Sequence, residues 1–348
     1  MTAPYRAVLV GCGPRGRAHG LGLIANGPRF DLVAVCDRDA DRLTRVADEL
    51  GVRERYTDPD EMLARERPSV LCFATPPAVR QELVELGVKH GVRAIALEKP
   101  LALSLGEATR IRELCAGAGI NGVVCHQLRH GGHWRRAKEI IETGGIGDVR
   151  SVLATGRPSL LRVGTHLVDI LLWLAGAGRA QWVVGQVVGK AGYEEDHPCP
   201  DHLAGVVALD RGVRGFLEVG TLAPHHLDEH EFWADAGVTV LGTHGHVRVV
   251  LGAGWEAVTR WSRERPESGP ADPAPQEARH LALLADWLDD PERVHPCDLA
   301  ASYRGLEVLL GMALSSLERR RVDLPIAPVP DAVLERLRDV LPDDAARP

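Results

Sequence analysis

The sequence GCGPRG at residues 11–16 decides how the chain folds. An apolar run at residues 7–10 predicts a buried parallel strand before it, and residues 17–24 can form a helix after it. In such a G-x-G-x-x-G motif the first glycine permits a tight turn, the second admits a pyrophosphate, and the third lets the helix pack closely. The motif predicts a dinucleotide site formed by Gly11, Gly13, Pro14, Arg15 and Gly16.

An acidic residue supports this interpretation. The run FDLVAVC at residues 30–36 predicts a second strand, and Asp37 follows it, about 20 residues after the last glycine. A carboxylate there binds a ribose 2′-OH and favours NAD, although Arg38 beside it could accommodate the phosphate of NADP. We therefore expect NAD, with NADP possible. The alternative is a glycine-rich turn of another α/β protein.

Composition excludes several classes of protein. The 348 residues are 45% hydrophobic and 26% charged, which is typical of a globular chain. A net charge of −7 argues against a nucleic-acid or anionic-membrane partner, and no apolar stretch could span a bilayer. The N-terminus lacks the pattern of a signal peptide, and the seven cysteines are scattered singly, which indicates reduced thiols in a cytoplasmic protein.

Residues 1–125 alternate between strand-like and helix-like segments, which predicts a doubly wound parallel sheet of the Rossmann type. A strand at residues 70–74 ends in Thr75 and Pro76, and a strand at residues 92–97 ends in Glu98 and Lys99. Ligands of open α/β sheets bind at the carboxyl ends of the strands. We therefore expect the Thr75-Pro76 loop to lie along the nicotinamide ribose.

The pattern changes from residue 126 onward. Strand-like runs with hairpin signals between them predict a large, mostly antiparallel open sheet, interrupted by a helix at about residues 165–174. Two helices, at about residues 277–288 and 299–319, close this second, α+β domain of residues 126–348. Residues 265–275 are expected to form an exposed mobile loop, and residues 342–348 a frayed tail.

These motifs together resemble the Gfo/Idh/MocA oxidoreductases. The resemblance covers nearly the whole chain and rests on motifs that occur in the family's order: GCGPRGRAH at 11–19, Thr75-Pro76, Glu98-Lys99-Pro100, KEIIETGGIGDV at 138–149, G-x-H-x-x-D at 164–169, GTHG at 242–245 and VDLP at 322–325. It implies a Rossmann domain, an α+β domain whose open sheet often forms a homo-oligomer (dimer or tetramer) and a cis Lys99-Pro100 bond.

The resemblance also supplies catalytic candidates. Lys99, at the end of a Rossmann strand and partly desolvated, would have a lowered pKa and hydrogen-bond the substrate oxygen; Glu98 and Lys99 would also lie against the cofactor. His166 matches the family's catalytic histidine and would exchange a proton with the substrate, and Asp169 would contact substrate or orient its neighbours. The alternatives are that Lys99 pairs with a surface carboxylate, and that His166 and Asp169 cap a helix.

One residue departs from the family pattern. Many members carry an aspartate four residues before the histidine, where this chain has Arg162. Arg162 either binds an anionic group of the substrate or pairs with a local acid. Gln127 and Arg129 are further candidates for substrate contact, with a solvated loop as the alternative.

Two histidine-rich patches, at residues 196–202 and 225–230, raise the question of a metal. Neither follows the spacing of a zinc site, and the family does not require a metal, so we expect none.

The sequence therefore predicts an NAD(P)-dependent dehydrogenase or reductase acting on a CH–OH group of a sugar, cyclitol or related polyol. Two other functions remain open. One is a glycosidase or lyase that uses transient oxidation by bound NAD, and the other is a non-catalytic NAD(P)-binding regulator.

Overall fold

The computed structural model describes residues 3–176, 179–227, 229–262, 265–330 and 332–342. Asp228 and most of the predicted frayed tail, residues 343–348, lie outside this range. The chain divides into two compact units: the first comprises Met1–Leu103, Glu107–His130 and Pro275–Tyr303, and the second Ser104–Gly106, Gly131–Ala274 and Arg304–Pro348. This division into units is not the same as the predicted division after residue 125, which stays a prediction.

The first part of the chain forms a six-stranded parallel sheet in the order β3-β2-β1-β4-β5-β6. This is the strand order of dinucleotide-binding Rossmann folds, so the predicted fold class is confirmed. Its elements are β1 (Tyr5–Val10), α1 (Pro14–Ala25), β2 (Phe30–Cys36), α2 (Ala40–Leu50), β3 (Glu54–Tyr56), α3 (Pro59–Glu66), β4 (Val70–Phe73), α4 (Arg80–Lys89), β5 (Ala94–Leu97), α5 (Leu105–Ala118) and β6 (Asn121–Val124).

The second unit is built on a nine-stranded sheet, antiparallel except where β7 pairs with β10. The elements up to its edge strand are α6 (Gly132–Glu142), β7 (Val149–Gly156), α7 (Thr165–Ala175), β8 (Ala180–Val188), β9 (His202–Leu209), β10 (Arg214–Gly220), β11 (Ala236–Gly242), β12 (His246–Val250), β13 (Gly254–Val258) and β14 (Glu267–Pro270). The prediction of a mobile loop at residues 265–275 is wrong at β14, because this strand pairs with β13. The sequence ESGP of this edge strand lacks the apolar alternation that marks a half-buried strand.

The remaining elements are α8 (Gln276–Asp289), α9 (Leu299–Glu318), β15 (Val322–Asp323) and α10 (Val333–Val340). Helix α8, which the sequence analysis assigns to the second domain, belongs to the first unit. Leu281 and Leu284 are fully buried in the same core as Leu9 and Val35. The spacing of apolar residues predicts that a helix has a buried face but not which core receives that face.

One row of apolar side chains crosses the open face of the second sheet. Leu153 on β7 pairs with Phe216 on β10, Phe216 pairs with Val206 on β9, and Val206 pairs with Val184 on β8. Leu153, Phe216 and Val184 are all exposed. No α-helix in the described part of the chain is long and apolar enough to cross a bilayer. All seven cysteines are buried and unbridged.

Candidate active site

The glycine-rich turn joins β1 to α1 and can be formed only by glycine at two of its positions. Gly11 has a φ of +90°, and a Cβ there would lie 2.6 Å from the carbonyl oxygen of Ala74. A Cβ on Gly16 would lie 1.7 Å from the carbonyl oxygen of Gly11, inside van der Waals contact. Both steric demands match the roles that the motif assigns to its first and third glycines.

The start of α1 suits an anionic group. Its N-cap residue is Gly13, no side chain caps it, and a Cβ on Gly13 would meet no atom within 4 Å. The first N–H groups of a helix lack partners within the helix and carry a partial positive charge. An uncapped helix start beside open space therefore fits the pyrophosphate of a dinucleotide.

Asp37 lies where the sequence predicts, beside this turn. Its Oδ2 accepts a hydrogen bond from the backbone N–H of Cys12 at 2.7 Å, and its Oδ1 accepts one from the N–H of Asp39 at 2.9 Å. Arg42, which the sequence analysis did not single out, approaches Oδ2 at 3.6 Å, whereas Arg38 is exposed. The carboxylate is thus held next to the glycines, as binding of an adenosine ribose requires.

A buried arginine joins the two loops that follow β4 and β5. Arg80, only 1% exposed, donates hydrogen bonds from Nη2 to the carbonyl oxygens of Thr75 at 3.2 Å and Lys99 at 3.0 Å. Burial lowers the pKa of Arg80 to about 10, against the opposing effect of Glu98 and Glu107, so the guanidinium stays charged at neutral pH. No local motif marks this residue, which sequence reasoning missed.

The carboxylate of Glu98 is engaged on both oxygens. Its Oε1 accepts hydrogen bonds from Arg15 Nε at 2.8 Å and His19 Nε2 at 3.0 Å, and its Oε2 accepts the N–H of Lys99 at 3.2 Å. Arg15 also pairs with Glu277 of α8 at 2.9 Å. Burial alone would raise the pKa of Glu98, but the hydrogen bond from His19 and the charge of Arg15 hold it well below its ordinary range.

Lys99 is half-buried, and its bond to Pro100 is cis, as the resemblance implies. Gln127 and Arg129 lie in a 3-10 turn of the same unit. Gln127 accepts a weak hydrogen bond from the Cys125 thiol, with 3.6 Å between Sγ and Oε1, and Arg129 Nη1 donates to the carbonyl oxygen of Pro296 at 3.4 Å. The first unit therefore holds the predicted cofactor residues together with Lys99, Gln127 and Arg129.

The second unit carries the other candidates. His166 and Asp169 lie on α7, three residues apart, and both are buried. Arg162 precedes them in a π-helical turn, Leu160–Gly164. Its Nη2 pairs with Oε2 of Glu195 at 3.0 Å, so the arginine does have a local acid as partner. The roles of these residues stay predictions.

Neither histidine-rich patch brings three potential metal ligands together among the described residues. The two such clusters that the described residues form are elsewhere: His130, His280 and His295, and a second cluster in which Cys125 joins His19 and Glu98. His295 uses both ring nitrogens on backbone groups, since Nε2 donates to the carbonyl oxygen of His280 and Nδ1 accepts the N–H of Cys297. In the second cluster the Glu98 carboxylate already pairs with Arg15 and His19.

The fold and the site define a class: a Rossmann-type dinucleotide-binding protein with a second unit built on an open sheet. Residues 5–125 match the Gfo/Idh/MocA family model, described as an oxidoreductase family with an NAD-binding Rossmann fold. The resemblance indicated by the sequence motifs is thereby confirmed for residues 5–125.

Two characterised relatives are similar over part or most of the chain. D-apiose dehydrogenase of Paraburkholderia graminis is 30% identical over 189 residues, which is 49% of this chain and 50% of that protein. The NAD+-dependent scyllo-inositol 2-dehydrogenase of Bacillus subtilis is 26% identical over 73% of this chain and 79% of its own length. The chain spans about half the length of the first of these.

Among solved structures, an oxidoreductase from Agrobacterium radiobacter in complex with NAD+, L-tartaric acid and magnesium superposes with a TM-score of 0.79. It is 20% identical, and the match covers 92% of this chain and 98% of that one. At 20% identity this structural similarity supports the fold, with its two parts, and nothing beyond the fold.

Proposed function

We propose that the chain is an NAD-dependent oxidoreductase that transfers a hydride between nicotinamide and the carbinol or ketone carbon of a sugar, cyclitol or related polyol. The observation that carries the proposal is the carboxylate of Asp37, held beside an uncapped helix start in a Rossmann sheet. The names of the relatives, an apiose and an inositol dehydrogenase, support a polyhydroxylated substrate.

The residues of this chain divide the work as follows. The nicotinamide, when bound, supplies the hydride acceptor or donor. Lys99 donates a hydrogen bond to the substrate oxygen, and His166 takes up the hydroxyl proton in oxidation or returns it in reduction. Asp169 contacts the substrate or orients its own neighbours, while Gln127 and Arg129 contact the substrate. The residues that hold the dinucleotide are Gly11, Gly13, Pro14, Arg15, Gly16, Asp37, Thr75 and Pro76.

A substrate panel tests this proposal. Polyols, sugars and sugar acids are incubated with NAD+ or NADP+, and the absorbance of the reduced nicotinamide is recorded. We expect reduced cofactor to accumulate with at least one compound, and more with NAD+. Cleavage of a glycoside without net reduced cofactor would identify transient oxidation instead, and cofactor binding without turnover a regulator. The comparisons favour neither alternative.

We also propose that the enzyme is a homo-oligomer assembled through the open face of the second sheet. The row formed by Leu153, Phe216, Val206 and Val184 is an apolar stripe across four adjacent strands. A second copy of the same face would bury this stripe by a self-complementary contact.

A further inference from the structure

The second unit contains a cavity of about 460 Å³ that no sequence motif marks. Three connections enclose it: the segment after β7, the segment before β9 and the segment after β10. Its walls combine guanidinium groups with an imidazole and aromatic rings, and the side chains that matter are Arg157, Arg162, His202, Phe232 and Trp233. A concave site with a few convergent polar groups is the usual form of a small-molecule site.

A buried carboxylate holds Arg157 in place through a histidine. Asp235, only 1% exposed, accepts a hydrogen bond from His225 Nδ1 at 3.1 Å, and Nε2 of the same ring contacts Nη1 of Arg157. The backbone N–H of Arg157 also donates to the carbonyl oxygen of Asp235 at 3.0 Å. The guanidinium is therefore oriented before any ligand arrives, which lowers the entropic cost of binding.

Arg157 is also the cation of this cavity that lacks a negative partner. Within the described part of the chain, its side chain contacts no carboxylate. The two carboxylates that line the cavity are engaged elsewhere: Glu195 pairs with Arg162, and Asp201 accepts the backbone N–H groups of Ala191 and Gly192. An anionic ligand group would supply the missing partner, since guanidinium binds carboxylate or phosphate in a forked geometry.

The remaining walls suit a polyhydroxylated molecule. Trp233 is 62% exposed, which leaves part of its aromatic faces uncovered. Its ring centroid lies 5.2 Å from that of Phe232 in a T-shaped arrangement, and the guanidinium of Arg162 stands over the Trp233 ring, 5.3 Å from the centroid. Such faces pack against the C–H surfaces of a sugar while its hydroxyls stay hydrogen-bonded. His202 is only 6% exposed, and its Nδ1 has no hydrogen-bond partner among the described residues. Burial lowers the pKa of His202 against the opposing effect of Glu218, and this lowering favours the neutral ring; a neutral imidazole can accept a hydrogen bond from a hydroxyl.

We propose that this cavity binds a sugar or polyol that carries one carboxylate or phosphate group, with the anion on Arg157, a hydroxyl on His202 and the C–H face on Trp233. The inference rests on the proposed function, because it names the substrate class of that oxidoreductase as anionic. Arg162, already a candidate for substrate contact, lines the same cavity.

Calorimetric titration of the NAD-saturated protein tests the inference with three ligands: gluconate, glucose 6-phosphate and neutral glucitol. We expect one or both anions to bind at least about 10-fold more tightly than glucitol, and the tighter anion identifies the group. Arg157→Gln should weaken anion binding about 10- to 100-fold and leave glucitol unchanged. Arg150→Gln, an exposed arginine on β7, is the matched control and should change neither.

Several outcomes would overturn the inference: no binding of either anion, equal binding of anions and glucitol, or equal weakening of all three ligands in Arg157→Gln. Thermal unfolding of each variant checks that it is folded. Arg157→Lys keeps the positive charge but cannot bind an anion in the bidentate geometry of a guanidinium, so it should give an intermediate affinity.

Turnover measured on the same compounds separates this inference from the proposed function. Turnover of neutral polyols without turnover of either anion would refute the anionic substrate class and keep the oxidoreductase. Arg157-dependent anion binding without any nicotinamide reduction would support the cavity and contradict the oxidoreductase.

Discussion

Glu98 and His19 form a hydrogen-bonded pair inside the first unit, with 3.0 Å between Oε1 and Nε2, although 79 residues separate them in the chain. Both side chains are almost fully removed from water. Because Glu98 also accepts the backbone N–H of Lys99, the pair fixes the loop that presents the proposed catalytic amine. The geometry of the reactive residue thus depends on a buried ionic contact behind it.

Replacing Glu98 by Gln leaves the buried His19 without its anion and leaves Arg15 with Glu277 alone. We expect Glu98→Gln to lower the free energy of unfolding by about 3 kcal/mol at neutral pH, because breaking one side of a buried pair strands the other. Urea titration monitored by circular dichroism measures this. Glu49→Gln, in an exposed pair with Arg17, should be nearly neutral; equal losses in the two variants would refute the buried role.

The same pair makes stability depend on pH. The pKa of Glu98 is lower in the folded chain than in the unfolded one, so its contribution is fully present above the unfolded pKa, about 4.3, and is lost as the pH falls below that value. The difference in unfolding free energy between the natural chain and Glu98→Gln should therefore shrink on acidification below about pH 4. A difference that stays constant down to acid pH would contradict the assigned direction of the shift.

Asp37 should govern the choice between the two nicotinamide cofactors. Asp37→Asn removes the negative charge that repels a 2′-phosphate and binds the ribose, so NAD affinity should fall about 10-fold while NADP gains relative to NAD. Fluorescence titration with both reduced cofactors measures the ratio. Asp41→Asn, an exposed neighbour in the first turn of α2, should leave the ratio alone. An unchanged ratio in Asp37→Asn would place the carboxylate away from the ribose.

Lys99 should matter for turnover and little for cofactor binding. Lys99→Met keeps the length of the side chain but cannot hydrogen-bond the substrate oxygen, so kcat should fall about 10²- to 10⁴-fold. The Kd for NAD should change little. Lys89→Met, on an exposed surface, serves as the control. Ordinary turnover in Lys99→Met would remove the residue from the mechanism.

Arg80 should stabilise the first unit. Arg80→Met leaves two part-buried carbonyl oxygens, those of Thr75 and Lys99, without this donor, and we expect a loss of about 2 kcal/mol in unfolding free energy. Arg110→Met, an exposed arginine on α5, controls for the loss of a cation. If both variants unfold at the same urea concentration as the natural chain, the carbonyl contacts of Arg80 contribute nothing.

If the proposed oligomer forms through the apolar row, a charge at the centre of that row should abolish assembly. Phe216→Lys places a charge where two copies would meet, and light scattering coupled to gel filtration should show monomers. Val294→Lys, at an exposed apolar position of the first unit, should keep the natural mass. An oligomer that survives Phe216→Lys would require another interface.

Local sequence was sufficient to predict the turn at residues 11–16 and the position of Asp37 beside it, because both are defined by spacing within one βαβ segment. It was insufficient for Arg80 and His19, because their partners Lys99 and Glu98 lie in another segment and leave no periodic signal. The resemblance places the Glu98 carboxylate against the cofactor, but both of its oxygens accept hydrogen bonds from other groups of the protein. Arg157 was missed for a similar reason, since its setting depends on Asp235, which is 78 positions away (235 − 157).

The position of α8 has a consequence for synthesis. The core around Leu9 is completed by Leu281 and Leu284, which leave the ribosome only after residues 131–274 have been made. An emerging fragment that ends near residue 130 therefore shows an unfilled apolar surface where α8 belongs. The nucleotide-binding half of the chain should mature late, and it should need protection from self-association until its C-terminal helix arrives.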